Sequence, residues 1–530
     1  MSLNRRANLL AVVLCGLFLA VSLPWITRLG IQTDEAIFAG GIYPPFAGQF
    51  IVRIFKHDVP LMVMSYVGSL KSLIWRMIFF LWQPSPASVR IPALLLSALC
   101  IWLLYRLLAA TVGVRAGLAA AALLATDPMY IMYSRYDHGP VVIQHVCQIG
   151  SLLALARFYQ TGSRRWLASG FFLLGLGIWE KAVFSWILGG FLVAAAAVFW
   201  REIGQKLSGR NARVAVLALV VGSSPLLLYN VRHSFETFRG NTVWSAEGFS
   251  AKAGLLWRTL QGDALFGSMT RDVWEEPFRE PANAAERASL ALSGATGLRR
   301  QSLAGYLAAA AVLLVPLVWR TAARKAFLFA LIALAVAWLQ MALIKGAGGG
   351  AHHTILLWPL PALGTAAVLA ASSQRLRFGA VLLAALLAVA VFANLLVLNT
   401  YYTCLLRNGG TSSWTDAMYP AFEAIHKQPK EAICTIDWGF FDTVRLFEQG
   451  HTTLCAAPDP VDDASRAGAL RQIQHPGYIF LTHTAGNETF VGMTGRFLAV
   501  AREAGFQVVA RQRFRDSNGR ETVEVFRFSR

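Results

Sequence analysis

Apolar runs recur along this chain near residues 8–29, 88–107, 115–134, 138–157, 166–181, 182–200, 213–230, 303–319, 326–344, 354–372 and 378–398. A helix needs roughly 20 apolar residues to cross a hydrocarbon core of about 30 Å. The pattern therefore predicts about eleven spanning helices. The connections are of two kinds. One kind is short and basic: Arg5/Arg6, Arg106 with Arg115, Arg157/Arg164/Arg165, Arg201/Lys206/Arg210/Arg213, Arg320/Arg324/Lys325 and Arg375/Arg377. These alternate strictly with the other kind, so they share one side, and their Lys/Arg excess makes it cytoplasmic. The N-terminus is then cytoplasmic, and an odd number of spans puts residues 399–530 on the opposite face. The first run has no small-residue cleavage site, so it is predicted as a span and not as a removable signal.

Three stretches break the rhythm. Leu61–Trp82 is apolar but carries Lys71 and Arg76, which predicts an interfacial helix with its cations toward lipid headgroups. As a span it would place every later basic turn on the wrong side. The connection 231–302 is long enough to be functional and partly helical. Its Trp244, Trp257 and Trp274 suit an interfacial aromatic belt better than sugar stacking. Residues 399–530 predict a small α/β domain, with strands at Ala432–Asp437, Thr452–Ala456, Gly477–Thr482, 506–514 and 521–528 and helices near 439–449 and 489–504. It has no phosphate-binding glycine motif, and acceptor recognition or stability is the role expected of it. The expected fold is thus a polytopic α-helical membrane protein, with a transmembrane domain over 1–398, juxtamembrane helices in its outer loops 30–87 and 231–302, and a small extracytoplasmic α/β domain over 399–530.

Composition supports the membrane class, since 56% of residues are hydrophobic and only 15% charged, against about a quarter charged in soluble domains. The net charge of +19, from 48 basic and 29 acidic residues, would suggest nucleic acid in a soluble protein. Here the excess lies beside the apolar runs, while 399–530 is balanced and 231–302 nearly so, and nucleic acid is not an expected partner. Cys15, Cys100 and Cys147 fall in apolar runs as small core residues. Cys404, Cys434 and Cys455 fall in the tail, where Cys434 and Cys455 are either bridged or buried free thiols, and no CxxC spacing exists.

Acids are scarce near the membrane. Outside 231–302 and the tail there are only Asp34, Glu35, Asp58, Asp127, Asp137, Glu180 and Glu202. All but Glu202 map to the non-cytoplasmic side, together with Arg28, Arg53, Lys56, Lys71, Arg76, Arg90, Arg135, Lys181 and Lys345. Ionisable groups beside the apolar slab are costly and mark sites or pair with one another. A one-sided set of both signs predicts a catalytic or binding vestibule, with helix-end pairing and snorkelling accounting for part of it.

Several motifs in this set resemble the C-type glycosyltransferase superfamily, the polyprenyl-phosphate-sugar-dependent membrane enzymes that include protein O-mannosyltransferases and lipid A aminoarabinose transferases. Asp34-Glu35 stands in the first outer loop, where the family has an acidic pair. Asp58-Val59-Pro60-Leu61 is similar to its proline-containing entry to a juxtamembrane helix, although the family frequently has two prolines there. Arg90-Ile91-Pro92 opens the second span. Asp127-Pro128 through Ser134-Arg135-Tyr136-Asp137 looks like the second outer loop, and Gly177-Ile178-Trp179-Glu180-Lys181 like the turn after the fifth span. Ala36-Ile37-Phe38 departs from the basic or aromatic residue that often follows the acidic pair.

The resemblance implies an inverting transfer of a hexosyl or pentosyl unit from a polyprenyl-phosphate donor to a lipid, glycan or protein acceptor at the outer face of the cytoplasmic membrane, in modification of cell-envelope lipopolysaccharide or another glycan. Such transfer needs a carboxylate to take the acceptor's proton and cations to stabilise the departing phosphate. Asp34 is the expected base. Glu35 orients it, holds a basic neighbour or binds acceptor, its plainer role being a charge at a helix N-terminus. Asp137 is the second acid, or pairs with Arg135, or caps the following helix. Lys56, Lys181 and Lys345 are the expected phosphate ligands, with Arg53 and Arg135 behind them. Lys345 opens Gly346-Ala347-Gly348-Gly349-Gly350-Ala351-His352-His353, a loop whose glycines allow close approach to a phosphate. His352 and His353 either donate to phosphate, ligate a metal, or do neither. No cofactor is required, and a divalent cation is compatible. A transporter or flippase of lipid-linked glycans is the alternative, but transporters carry internal repeats and midplane charges, and neither is seen.

Overall fold

The computed structural model describes residues 2–45, 50–54, 56–272, 274 and 278–530. Every apolar run coincides with helix. Among the described residues eight helices are long and apolar enough to cross a membrane: Arg5–Ser22, Pro86–Thr111, Val141–Thr161, Phe184–Lys206, Gly209–Arg232, Ala322–Ala342, Ala351–Ser373 and Gly379–Asn408. A bent pair, Val114–Thr126 with Pro128–Tyr136, turning by 61°, makes a ninth if the two pieces form one broken span. The bend has a local cause. Pro128 has no N–H to continue the ladder and pushes Asp127 out of the helical region. Asp127 is accordingly extended, and its carboxylate caps the second piece by accepting from the Tyr130 N–H at 2.8 Å. The shorter Arg164–Glu180 and Ala304–Leu314, the latter continued by a 3-10 turn, pack among these.

Glycine sets the closest helix approach. A methyl group built on Gly175 would lie 2.4 Å from the Leu219 carbonyl oxygen, and one on Gly222 would lie 2.4 Å from that of Phe172. Helices Arg164–Glu180 and Gly209–Arg232 therefore meet backbone to backbone, as small residues permit between membrane helices.

Between the first and second spans the chain differs from expectation. Residues 61–64 are not helical but belong to the central strand of a three-stranded antiparallel sheet, Phe50–Ile54, His57–Met64 and Val67–Gly68. The short apolar run Val59-Pro60-Leu61-Met62-Val63 is compatible with a buried strand, and Gly68 in the next strand lies against the backbone of Trp179, with no room for a side chain. The helix starts only at Leu70 and runs to Leu81. It exposes Met77, Phe80 and Leu81 and buries Lys71, Trp75 and Phe79. Lys71 thus faces inward and not toward headgroups. The connection 231–302 contains three helices, Glu236–Asn241, Phe249–Gln261 and Ala284–Thr296.

The last long helix continues past residue 398 to Asn408, so Cys404 is buried within it. Beyond it lies a five-stranded sheet in the order Thr453–Ala456, Ala432–Thr435, Tyr478–His483, Glu521–Ser529, Gln507–Arg515. The first three strands are parallel and the last two antiparallel. Cys434 and Cys455 face each other in register and are bridged. Two helices join those read from sequence, Met418–His426 and Asp463–Ile473.

The tail docks on the first connection. Helix Phe441–Glu448 packs on helix Thr33–Gly40, with Leu446 against Gly40 and the Thr443 hydroxyl donating to the Ile31 carbonyl at 3.2 Å.

Filling the backbone contact between the two glycine-paired helices is predicted to be costly. Gly222→Val should lower stability by about 1–3 kcal/mol, the range for overpacking, read as a reduced thermal midpoint in detergent. Gly209→Ala, with open space around it, is the control. An unchanged midpoint in Gly222→Val would contradict the packing described.

Candidate functional site

Helix Thr33–Gly40 presents its two acids in different ways. Gln32 caps it, its side-chain oxygen accepting from the Asp34 N–H at 2.6 Å. Glu35 is buried and pairs bidentately with Arg90, at 2.8 Å to Nε and 2.9 Å to Nη2. Arg90 in turn donates to the carbonyls of Ile26, Leu29 and Gly30 and lies on the Tyr136 ring. Asp34 is only partly buried, and among the described residues its carboxylate accepts no hydrogen bond and has no ion-pair partner. Burial raises its pKa above the ordinary carboxylate range, while Lys181 and then Lys71 act against that rise.

The floor of the site is a compact charge network. The Lys71 ammonium binds the Asp137 carboxylate at 2.6 Å and the Asp137 carbonyl at 3.3 Å, both side chains being buried. The Lys71 N–H donates to the Glu180 carboxylate at 3.0 Å. Asp137 takes a left-handed conformation, φ 28°, which Asp tolerates better than most residues. Its other oxygen accepts from the N–H groups of Val141 and Val142 at 2.9 and 3.0 Å. Asp137 thus caps the following helix, and its ionic partner is Lys71 and not Arg135.

Lys181 follows helix Arg164–Glu180 and is buried. Its ammonium lies 3.4 Å from the Gly139 carbonyl and over the Phe38 ring. Burial lowers its pKa, and Asp34, Asp137 and Glu180 counter the effect. His138, in the turn between Asp137 and Val141, stacks on Tyr133 and meets His352 and Trp414 edge to face. Its pKa is pushed down to about 3 by burial, with Lys181 and Lys71 adding to the effect. It is therefore a neutral ring at ordinary pH, able to donate or accept one hydrogen bond.

The fold thus brings together Asp34, Asp137, Lys181 and His352, with Glu35 directly beneath. The other candidates lie apart. The Arg135 guanidinium donates to the carbonyls of Ser22 and Pro24 and to the Tyr402 hydroxyl, tying off the end of the first span. Arg53 and Lys56 sit exposed at the turn of the strand pair Phe50–Ile54/His57–Met64, whose opposite end, through Val63 and Val67, packs on Ile37 and Phe38. Lys345 is exposed, and the buried cation anchoring its loop is Lys252, which donates to the carbonyls of Ala342 and Ile344. His353 packs on His352 and on the edge of Trp186. Among the described residues no group of three or more His, Cys, Asp or Glu is arranged to hold a metal.

Lys71, Glu180 and His138 also line the site: the first two stand in the one-sided charged set without an assigned role, and His138 is not singled out by the sequence. For Lys71 the signal was present. Spaced by four from Trp75, and Trp75 by four from Phe79, it shares the buried face of its helix, whereas Arg76 is exposed.

A family model described as dolichyl-phosphate-mannose-protein mannosyltransferase matches residues 67–229, which contain Lys71, Asp137, Glu180 and Lys181. No curated protein matches the chain in sequence. Among solved structures, ArnT from Cupriavidus metallidurans, bound to undecaprenyl phosphate, is similar over 97% of this chain and 97% of its own, at 15% identity and a TM-score of 0.57. An oligosaccharyltransferase from Archaeoglobus fulgidus, in complex with zinc and sulfate, covers 93% of this chain and 69% of its own, at 14% identity and a TM-score of 0.50. Over 97% of this chain, spans and tail together, the fold is similar to that of ArnT, which is the C-type glycosyltransferase fold.

Proposed function

We propose that this protein is an inverting glycosyltransferase that moves a sugar from a polyprenyl-phosphate donor to an acceptor hydroxyl at the outer face of the cytoplasmic membrane. The observation that carries the reading is Asp34, a carboxylate with no hydrogen-bond or ion-pair partner among the described residues, within electrostatic reach of the buried Lys181 and Lys71 at the tail-bearing end of the bundle. The fold shared with ArnT, whose structure holds undecaprenyl phosphate, and the matching family model support the donor class.

In this mechanism Asp34 accepts the acceptor hydroxyl's proton as the new C1–O bond forms, and the C1–O bond to the phosphate breaks with its electron pair leaving on the polyprenyl phosphate. The anomeric configuration inverts in this one displacement, so no second carboxylate acts as nucleophile. Lys181 meets the developing charge on the phosphate. It is the better placed of the two lysines because Lys71 is already engaged by Asp137. Glu35 and Arg90 hold the helix that carries Asp34, and Asp137 holds Lys71. His138 supplies a neutral hydrogen-bonding edge beside the phosphate, with the His352 ring packed against it. Lys345, at the head of its glycine loop, and Lys56 with Arg53, on their exposed turn, reach the donor headgroup only if those segments close over it.

Two outcomes are expected. Mass spectrometry of envelope lipids and glycans from a strain lacking the gene should show one missing sugar, restored by the wild type and not by Asp34→Asn. With that acceptor in hand, Asp34→Asn should lower kcat by about 10²–10⁴-fold, the usual weight of a general base, with donor binding retained. Near-normal turnover by purified Asp34→Asn would sink the proposal, as would labelled lipid crossing liposomes with no new glycosidic bond.

The second outcome concerns pH. A base works ionised, so activity falls as pH drops through its pKa. Since burial raises the Asp34 pKa and Lys181 opposes that, the acidic limb of kcat/KM should lie above the ordinary aspartate value near 4. Lys181→Met should move it higher still and weaken donor binding. A limb that stays put or moves down in Lys181→Met would mean that Lys181 does not face Asp34.

A further inference from the structure

Within the tail, Asp437 and His483 form a buried pair that the proposed chemistry does not use. The Asp437 carboxylate accepts from His483 Nδ1 at 2.5 Å and from the N–H groups of Thr489 and Phe490, each at 2.8 Å. Both side chains are buried, and the imidazole lies tilted against the Phe440 ring, with ring centres 4.3 Å apart. With Nδ1–H donating to Asp437, the tautomer bare at Nε2 offers a lone pair there. That atom is buried and, among the described residues, has no hydrogen-bond partner. A buried acceptor left in that condition is costly.

The matching group belongs to a different part of the fold. The Thr33 hydroxyl, one residue before Asp34, is also buried and without a partner among the described residues. Both side chains border the same notch. A methyl group built on Gly439 would lie 3.8 Å from Thr33 Oγ1 and 3.9 Å from His483 Cε1, the carbon bonded to Nε2. Gly439 has a φ of 105°, which a residue with a side chain rarely adopts, so the notch stays open. The Thr443 hydroxyl bonds both the Gly439 and the Ile31 carbonyls, so the segments on each side are already clamped together.

We propose that His483, oriented by Asp437, is a positioning residue for Asp34, reaching the helix that carries it through the Thr33 hydroxyl across the notch left by Gly439. Thr33 donates to a water bound in the notch, which in turn donates to Nε2, and this fixes the first turn of helix Thr33–Gly40 against the tail. The inference rests on the reading of Asp34 as the base.

The test uses the full-length protein and the two amides that mimic imidazole. Asparagine reproduces Nδ1 and keeps the bond to Asp437; glutamine places a polar atom where Nε2 stands. His483→Asn and Thr33→Val should each lower kcat about 5–30-fold, the weight of a positioning interaction of one or two hydrogen bonds, with the donor KM unchanged. The double variant should be no slower than the worse single, as for two residues on one link. His483→Gln and Thr33→Ser should recover most of the rate. Multiplicative losses in the double variant, or equal losses in His483→Gln and His483→Asn, would overturn the link. A readout free of turnover separates this from the reading of Asp34. In ¹⁵N-histidine-labelled protein in lipid nanodiscs, the His483 Nε2 signal, assigned by its disappearance in His483→Gln, should shift in Thr33→Val and not in Thr33→Ser. An unmoved signal defeats the link whatever the protein catalyses. A wild type that transfers no sugar defeats only the enzymatic reading.

Discussion

Arg90 has five N–H donors and all five are used: two on the Glu35 carboxylate and one each on the carbonyls of Ile26, Leu29 and Gly30. The side chain is fully buried beside a carboxylate that is itself buried, and such a pair is tolerable only when both partners are satisfied. Here the satisfaction is structural. The donors join the end of the first span, the helix after it and the start of the second span, three segments that nothing else in the sequence obliges to meet. Losing one member of such a pair typically costs about 3–5 kcal/mol, so the geometry around Asp34 depends on it. The two adjacent acids are then a unit with divided duties. Glu35 gives up its charge to Arg90, and Asp34, turned to the other side of the same short helix, keeps its own.

A similar division runs through the cations. Lys71 binds the Asp137 carboxylate and carbonyl and presents its own N–H to Glu180, so it serves to hold the floor together. Lys181 has one long contact, 3.4 Å to the Gly139 carbonyl, and a ring beneath it. An ammonium has three donors, and Lys181 keeps most of its capacity for a ligand. Burial weakens its hold on its proton while three nearby carboxylates strengthen it. In a partly dry site such a cation interacts more strongly with an incoming phosphate than it would in water.

The spans were legible because a bilayer imposes a single demand, an uninterrupted apolar length, that local sequence either meets or does not. The tail strands followed from their short β-branched and aromatic runs. What was not legible turned on tertiary partners. Leu61–Trp82 is largely apolar along its length, and only the approach of Gly68 to Trp179 and the pairing with Phe50–Ile54 divide it into strand and helix. Arg135 reads as a phosphate ligand in the chain, yet three oxygens 111 to 267 residues distant in sequence take up its guanidinium. Helix Asp463–Ile473 did carry a local signal, the Asp462–Ser465 capping box. Its polar face obscured the apolar period. The bridge between Cys434 and Cys455 was one of two readings, and their parallel strands put them directly opposite.

The tail changes meaning once its contacts are followed. Strands and helices after Asn408 look like an appended domain, but Gly30 donates to the Trp414 carbonyl at 2.8 Å, and Trp414 packs on Tyr136 and His138. Leu446 fills the surface of Gly40, and Thr443 caps the Ile31 carbonyl. Helix Thr33–Gly40 is only eight residues long, too short to be stable without tertiary support. It is held by Arg90 from the membrane side and by helix Phe441–Glu448 from the tail. In the proposed role of Asp34 as base, the carboxylate must meet a hydroxyl at hydrogen-bonding distance, which needs its backbone fixed to within a fraction of an ångström. Two supports from opposite directions supply that restraint where one flexible loop would not, which explains why the tail sits on the short helix and not elsewhere on the bundle.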